Sequence, residues 1–282
     1  MGKHNDPLPT HSCIGLVSNI SRTDSIIAMH LNDPPHDIAK LAAAQIQDYR
    51  SNNPGTCFED PGFSIDIATA YELQDAVTAL RVASGERVIG YKVGCTGPGT
   101  RAQFGMDGPI RGTLFEDEAR RNGARLDPDA FCQLAIEGEM ALRIGDDGAI
   151  EAAFPVIELH NFVFRADRKT LSELIANNGI NAGIVLPDNA WQQSPKHIHV
   201  DGVLSLRING SEVGSAGLWP NDAGPDASLM WLKQNLEDRQ TTLSPGDIVL
   251  AGTALGLYPV KDGDDVTVCI DQQPAVSCMV KT

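Results

Sequence analysis

The chain has 282 residues, 42% of them hydrophobic and 21% charged, which provides material for a core and excludes a wholly disordered chain or a fibrous repeat. With 37 acidic and 22 basic residues the net charge is −15. Such a surface repels phosphate backbones and anionic lipid heads, and so argues against nucleic-acid and membrane partners. An anionic substrate would then need a local cation, either a lysine or a metal. The length fits about two domains of ~150 residues or one large β-rich domain. With 27 glycines and 17 prolines, many short strands are favoured over a helical bundle.

No apolar run reaches the roughly 18 residues of a membrane span. The stretch Cys13 to Val17 is too short for the apolar part of a signal peptide, so the expected location is the cytoplasm. The six cysteines, at 13, 57, 95, 132, 269 and 278, form no Cys-x-x-Cys pair and read as small buried residues or bystanders.

Residues 1–34 show no sustained period and read as a poorly ordered extension. Met29, just ahead of the first helical pattern, is a second candidate start. Ile38, Leu41, Ala42, Ile46 and Tyr49 give a helical stripe, ended by the turn at 51–55. A second helix is expected over 67–83, where Leu73, Ala76, Val77 and Leu80 share a face and Gly85 follows as a stop. These two helices make an N-terminal cap over 35–86. From 87 to 282 the pattern is mixed and mostly β. Strands are expected at 87–94, 134–144, 154–164, 184–186, 248–250, 266–270 and 275–280. A hairpin is expected around Asn209-Gly210. Helices are expected at 168–177 and after Pro225.

The sharpest chemical signal is Glu137-Gly138-Glu139. Alternate residues of a strand point to one face, so the two carboxylates would lie side by side. On a solvated strand that costs little, but in a buried place they need a cation between them. Glu158 lies inside the apolar run from Phe154 to His160, where a carboxylate is rarely buried unless paired or bound to metal. Three carboxylates with no cysteine and no clear histidine partner suit a hard cation such as Mg²⁺ or Mn²⁺. Lys92, within the strand ending at Gly94, is either an ordinary surface residue or a positive charge and proton carrier beside that site. Gly94, Gly97 and Gly99 lack the spacing of a dinucleotide loop. His197 and His199 share a face if the segment is a strand, with no third ligand nearby, and read as surface histidines.

The segments Gly90-Tyr91-Lys92-Val93-Gly94-x-Thr96, Gln103-Phe104-Gly105-Met106-Asp107-x-Pro109 and Gly112-x-Leu114 resemble the signature of the 2-keto-4-pentenoate hydratase and 4-oxalocrotonate decarboxylase family, within the fumarylacetoacetate hydrolase superfamily. The resemblance continues through Glu137-x-Glu139, Pro155-x-x-Glu158, Ile175-Ala176-Asn177-Asn178, Trp231-Leu232 and Pro245-Gly246-Asp247-Ile248-Val249-Leu250-x-Gly252. It covers residues 36 to 282.

The resemblance implies an α+β fold: a fumarylacetoacetate hydrolase-like mixed β-roll with the helical cap in front. It implies a divalent metal, Mg²⁺ or Mn²⁺, held by Glu137, Glu139 and Glu158, with Lys92 catalytic. The segments also offer Thr96, Asn178 and Thr253 as substrate contacts. The implied activity is that of a lyase on a small 2-keto acid, with water addition first and 4-oxalocrotonate-type decarboxylation second. Ile110 stands where many hydratases of the family carry Asp, which leans toward a decarboxylase-like or atypical activity. Asn177 stands where Asp is usual, and the two departures together argue mildly for a non-catalytic accessory subunit. An acylpyruvate C–C hydrolase and a non-catalytic accessory subunit are the rival readings. The expected partners are the 2-keto acid, further copies of the chain and, in the accessory reading, a related decarboxylase or hydratase.

Overall fold

Residues 36–97, 108–220 and 222–282 are described by the computed structural model of the protein. The extension over 1–34, with Met29 and Cys13, lies outside them, as do Gly99 and the segment Gln103 to Asp107. Two helices come first, α1 (Ile38–Arg50) and α2 (Ile67–Ala83). Asp66 caps α2 by accepting a hydrogen bond from the Thr69 backbone N–H at 2.7 Å, satisfying one of the free donors of the first turn. Their apolar residues Ala42, Ala70, Tyr71 and Leu73 share a core with Ile110, Leu174, Ile175 and Ile180.

The main sheet has eight strands: β1 (Val88–Gly94), β2 (Ile110–Phe115), β3 (Ala119–Arg121), β5 (Leu134–Ile144), β6 (Ile150–Asn161), β7 (Asn181–Leu186), β10 (Ile248–Leu250) and β11 (Tyr258–Pro259). They run in the order β2-β1-β10-β5-β6-β7-β3, with β11 on β5. A second sheet of five has the order β4-β13-β12-β8-β9, built from β4 (Ala124–Leu126), β8 (Val203–Ile208), β9 (Ser211–Gly217), β12 (Asp265–Ile270) and β13 (Gln273–Val280). Ile136, Met140 and Leu142 of β5 pack against Leu204, Leu206, Val266 and Val268 in the largest core cluster. The remaining α-helices among the described residues are α3 (Leu171–Ala176), α4 (Asn189–Gln192) and α5 (Gly224–Glu237).

The main sheet is strongly curled. Lys92 of β1 and Glu158 of β6 are three strand steps apart, which in a flat sheet would be about 14 Å. Their side chains nevertheless meet at 2.6 Å. The curl turns one face of the central strands into a concave site.

Several expected elements differ in extent. The strand expected at 154–164 runs over Ile150–Asn161, because the pair with β5 is long and continues to Ile150. The helix expected at 168–177 is one short piece, Leu171–Ala176, capped by Thr170. His197 and His199 share no strand: His197 ends a 3-10 turn, Pro195–His197, with its ring stacked on Trp191. The hairpin turn is as expected, with Asn209 and Gly210 both at positive φ, the conformation of a type I′ turn. Cys57, Cys132, Cys269 and Cys278 carry free thiols. Among the described residues no helix is long and apolar enough to cross a membrane.

Candidate active site and metal centre

The pleat of two adjacent strands assembles the site. On β5 the even-numbered residues Ile136, Met140 and Leu142 face the core between the sheets, so Glu137 and Glu139 face the other way. On β6 Ile157 and Leu159 join that same core, which puts Glu158 and His160 on the face of the glutamates. Register brings Glu137 directly opposite Glu158 and Ala135 opposite His160. Lys92 comes from β1, which reaches β5 through β10.

Lys92, Glu139, Glu158 and His160 are each no more than 4% exposed. Glu137 is half-buried. Lys92 Nζ donates to Glu158 Oε1 at 2.6 Å and to the Gly179 carbonyl at 3.1 Å. The Asn181 amide donates to the same Glu158 oxygen at 2.8 Å. Glu139 accepts a hydrogen bond from the Gly252 backbone N–H. That approach needs glycine, since Gly252 has φ 85 and a Cβ there would strike Thr96. Gly112 gives similar clearance to the lysine, because a Cβ on it would come within 2.9 Å of Lys92 Cγ.

Burial alone would raise the Glu158 carboxyl, but His160, Lys92 and the Asn181 amide outweigh it and hold the pKa down at about 2. Burial likewise opposes the Lys92 ammonium, yet Glu158, with Glu139 and Glu137 behind it, lifts Lys92 above the ordinary lysine value. Glu139 goes the other way. Burial, then the charges of Glu158 and Glu137, push it well above the usual carboxylate range, with Lys92 only partly opposing. Three carboxylates thus converge on a space where one lysine does not balance them.

That space is a cavity of about 290 Å³ lined by Glu137, Glu139, Glu158, Thr96, Gly252 and Thr253. The donor set fits a divalent ion: carboxylate oxygens suit a hard cation, and the like charges need one. His160 points the same way. Its Nε2 stands 3.3 Å from Glu137 Oε2 and 3.5 Å from Glu158 Oε2, yet neither ring nitrogen has a hydrogen-bond partner. Glu137, Glu158 and His160 can each direct one ligand atom within 4.8 Å of the others.

Of the residues singled out in the sequence, Lys92, Glu137, Glu139, Glu158, Thr96 and Thr253 meet at this place. Thr253 Oγ1 already accepts from the Leu255 N–H at 3.0 Å. Asn178 does not join them. Its side chain donates to Thr113 O at 2.8 Å and accepts from Thr113 N at 2.7 Å, and it lines a separate small cavity with Gln45, Gln74 and Asn177. Its amide is spent holding β2. The expectation of no histidine partner is also corrected. His160 stands two residues after Glu158, and the alternation that pairs Glu137 with Glu139 would have found it. Asn181 carried no such signal, since the register of β6 with β7 places it.

Comparison with known proteins agrees with this fold. No protein-family model matches the chain. A 2-keto-4-pentenoate hydratase of Dechloromonas aromatica is 29% identical over 254 residues, covering 86% of this chain and 95% of the relative. The solved 4-oxalocrotonate decarboxylase of Pseudomonas putida, complexed with magnesium and adipate, superposes with a TM-score of 0.76 at 20% identity, over 88% of this chain and 99% of that one. A fumarylpyruvate hydrolase of Pseudomonas aeruginosa, in complex with Mn²⁺ and pyruvate, gives 0.51 at 18% identity over 69% of this chain and 89% of its own. The fold is therefore fumarylacetoacetate hydrolase-like, and the solved neighbours hold divalent ions.

Proposed function

We infer that this chain, a homologue of the 2-keto-4-pentenoate hydratases and of 4-oxalocrotonate decarboxylase, is a metal-dependent lyase that adds water to a small 2-keto (2-hydroxydienoic) acid. The observation that carries the reading is the convergence of Glu137, Glu139 and Glu158 on one cavity, with Lys92 paired to Glu158 at its wall. The three glutamates would hold Mg²⁺ or Mn²⁺. When bound, the ion supplies a Lewis acid for the carboxylate and 2-oxo oxygens of the substrate.

Lys92 moves the proton. Its raised pKa keeps Nζ an ammonium at neutral pH. Two of its three hydrogens are taken by Glu158 and Gly179, and the third is available to substrate. As negative charge develops on the substrate, Nζ can stabilise it and deliver a proton to the chain carbon. Glu158, fixed by Asn181, holds Nζ in place. His160 Nε2 faces both Glu137 and Glu158, at 3.3 and 3.5 Å. Thr96 and Thr253 line the cavity where the substrate carboxylate would lie. The reading also includes a cytoplasmic enzyme assembled from several copies of the chain, which size-exclusion chromatography tests.

Ile110 favours a second reading, decarboxylation. It is buried and, with Lys92, lines an adjoining cavity, so an apolar wall stands there. Apolar surroundings destabilise a carboxylate relative to the more dispersed charge that follows loss of CO₂. The test is product analysis after mixing metal-loaded protein with 2-hydroxypentadienoate, oxalocrotonate and an acylpyruvate. Hydrated product from the first supports the main reading. Release of CO₂ from the second without hydration of the first supports the alternative. Cleavage of the acylpyruvate alone overturns both.

A further inference from the structure

A second cavity, of about 310 Å³, adjoins the first. The two share Gly94, Cys95, Glu137 and Leu255 as wall. A molecule whose head lies on the glutamates therefore has this second cavity as the space for its tail. Beyond Lys92, Glu137 and His160 the lining turns apolar, with Ile110, Phe162, Phe164, Leu174, Ile180 and Leu257. The wall also carries Lys169, an exposed residue. Its Nζ lies 4.2 Å from the centroid of Phe162 and 5.3 Å from that of Phe164.

Lys169 differs from every other charge in this wall. Lys92 is tied to Glu158, and His160 and Glu137 face each other. Lys169 makes no ion pair with a described carboxylate, and the faces of Phe162 and Phe164 hold it over the cavity. In a chain of net charge −15, a cation left without a carboxylate at the rim of a cavity attracts anions. The tail region thus offers an apolar passage and then a single positive charge.

We propose that this cavity takes the tail of a 2-keto dicarboxylic acid, whose apolar middle lies on Phe162, Phe164 and Ile180 and whose far carboxylate is held by Lys169. The inference rests on the lyase reading and narrows its substrate class. It also chooses between the two chemistries. A carboxylate held by an ammonium is stabilised in the ground state, which raises the barrier to its loss as CO₂. A substrate anchored by Lys169 keeps its far carboxylate and is hydrated.

The test compares two 2-keto acids of equal chain length, one ending in a methyl group and one in a carboxylate. Each is assayed on the Mg²⁺-loaded wild type and on the Lys169→Gln and Lys169→Arg proteins. The wild type should prefer the dicarboxylate by about fivefold in KM, the upper end of one exposed charge contact. Lys169→Gln should raise KM for the dicarboxylate by about fivefold, leave kcat and the methyl-ended acid unchanged, and be rescued by Lys169→Arg. A wild-type preference for the methyl-ended acid, or a Gln variant that treats both acids as the wild type does, overturns the proposal and leaves the lyase reading standing. If neither acid is turned over or raises the melting temperature of the Mg²⁺-loaded protein, the lyase reading falls, and this inference with it.

Discussion

The central strands β5 and β6 have two unlike faces. On one, Ile136, Met140, Leu142, Ile157 and Leu159 are fully buried against the second sheet. On the other, Glu137, Glu139, Glu158 and His160 crowd together with Lys92. The same pleat and the same hydrogen bonds position both sets, yet one set lowers the energy of the fold and the other raises it. Apolar burial stabilises, whereas like charges taken out of water cost energy until a cation joins them. A face that costs stability and is nonetheless built with this register supports the proposal that these residues serve chemistry.

Substitutions on the two faces should therefore separate cleanly. The largest expected effect is on turnover. Lys92→Met keeps much of the stem volume and removes the charge, and the single-turnover rate at saturating metal should fall by about 10²-fold or more. The fold should survive, as circular dichroism would show. A near-normal rate would remove Lys92 from the mechanism. Opposite in kind is Ile136→Ala, which should cost about 2–5 kcal/mol of stability in denaturant unfolding. Metal affinity of the folded fraction should stay unchanged. If Ile136→Ala also weakens metal binding tenfold, the two faces are not independent.

Asn178 sharpens the contrast at smaller scale. Both ends of its amide serve Thr113, so Asn178→Ala should cost about 1–3 kcal/mol of stability from unpaired backbone groups and leave KM alone. A raised KM with unchanged stability would return Asn178 to the substrate.

pH provides a subtler probe of the charged face. In metal-free protein Glu139 has a raised pKa, so the folded state keeps a proton that the unfolded chain has lost. Its contribution to stability therefore falls as pH rises above the ordinary carboxylate range. Glu158, held at about 2, has the opposite sign: its contribution is full above that range and is lost as pH falls toward 2. Glu139→Gln should flatten the first slope and leave the second. An unchanged slope above the carboxylate range would assign it to another group.

The smallest expected effect is that of removing residues 1–28. Their lack of apolar period leads us to propose that they form a separate extension ahead of the helices. A chain beginning at Met29 should keep its fold and activity. Loss of soluble protein would show that the extension packs on the rest of the chain or on a neighbouring copy.

Much of this was legible in the sequence because it is written in short periods. The 3.6-residue stripe gave α2 its boundaries, and the two-residue alternation put Glu137 beside Glu139. The same alternation reaches His160, two residues after Glu158. What sequence does not carry is register and curl. The pairing of Glu137 with Glu158, the approach of Lys92 across three strands, and the retirement of Asn178 to a structural role all depend on which strands become neighbours. Edge pieces such as β3 and β4, three residues each, are too short for any period to show.

The most direct test is thermal melting of the wild type and of the Glu137→Gln/Glu139→Gln/Glu158→Gln protein, each with and without Mg²⁺ or Mn²⁺. The wild type should melt higher with metal, because an ion that binds only the folded state stabilises it. The triple variant loses the repulsion but also the buried partner of Lys92, so it is referred to its own metal-free melting temperature and should show no response to either ion. A triple variant that responds as the wild type does would place the metal elsewhere and contradict the account.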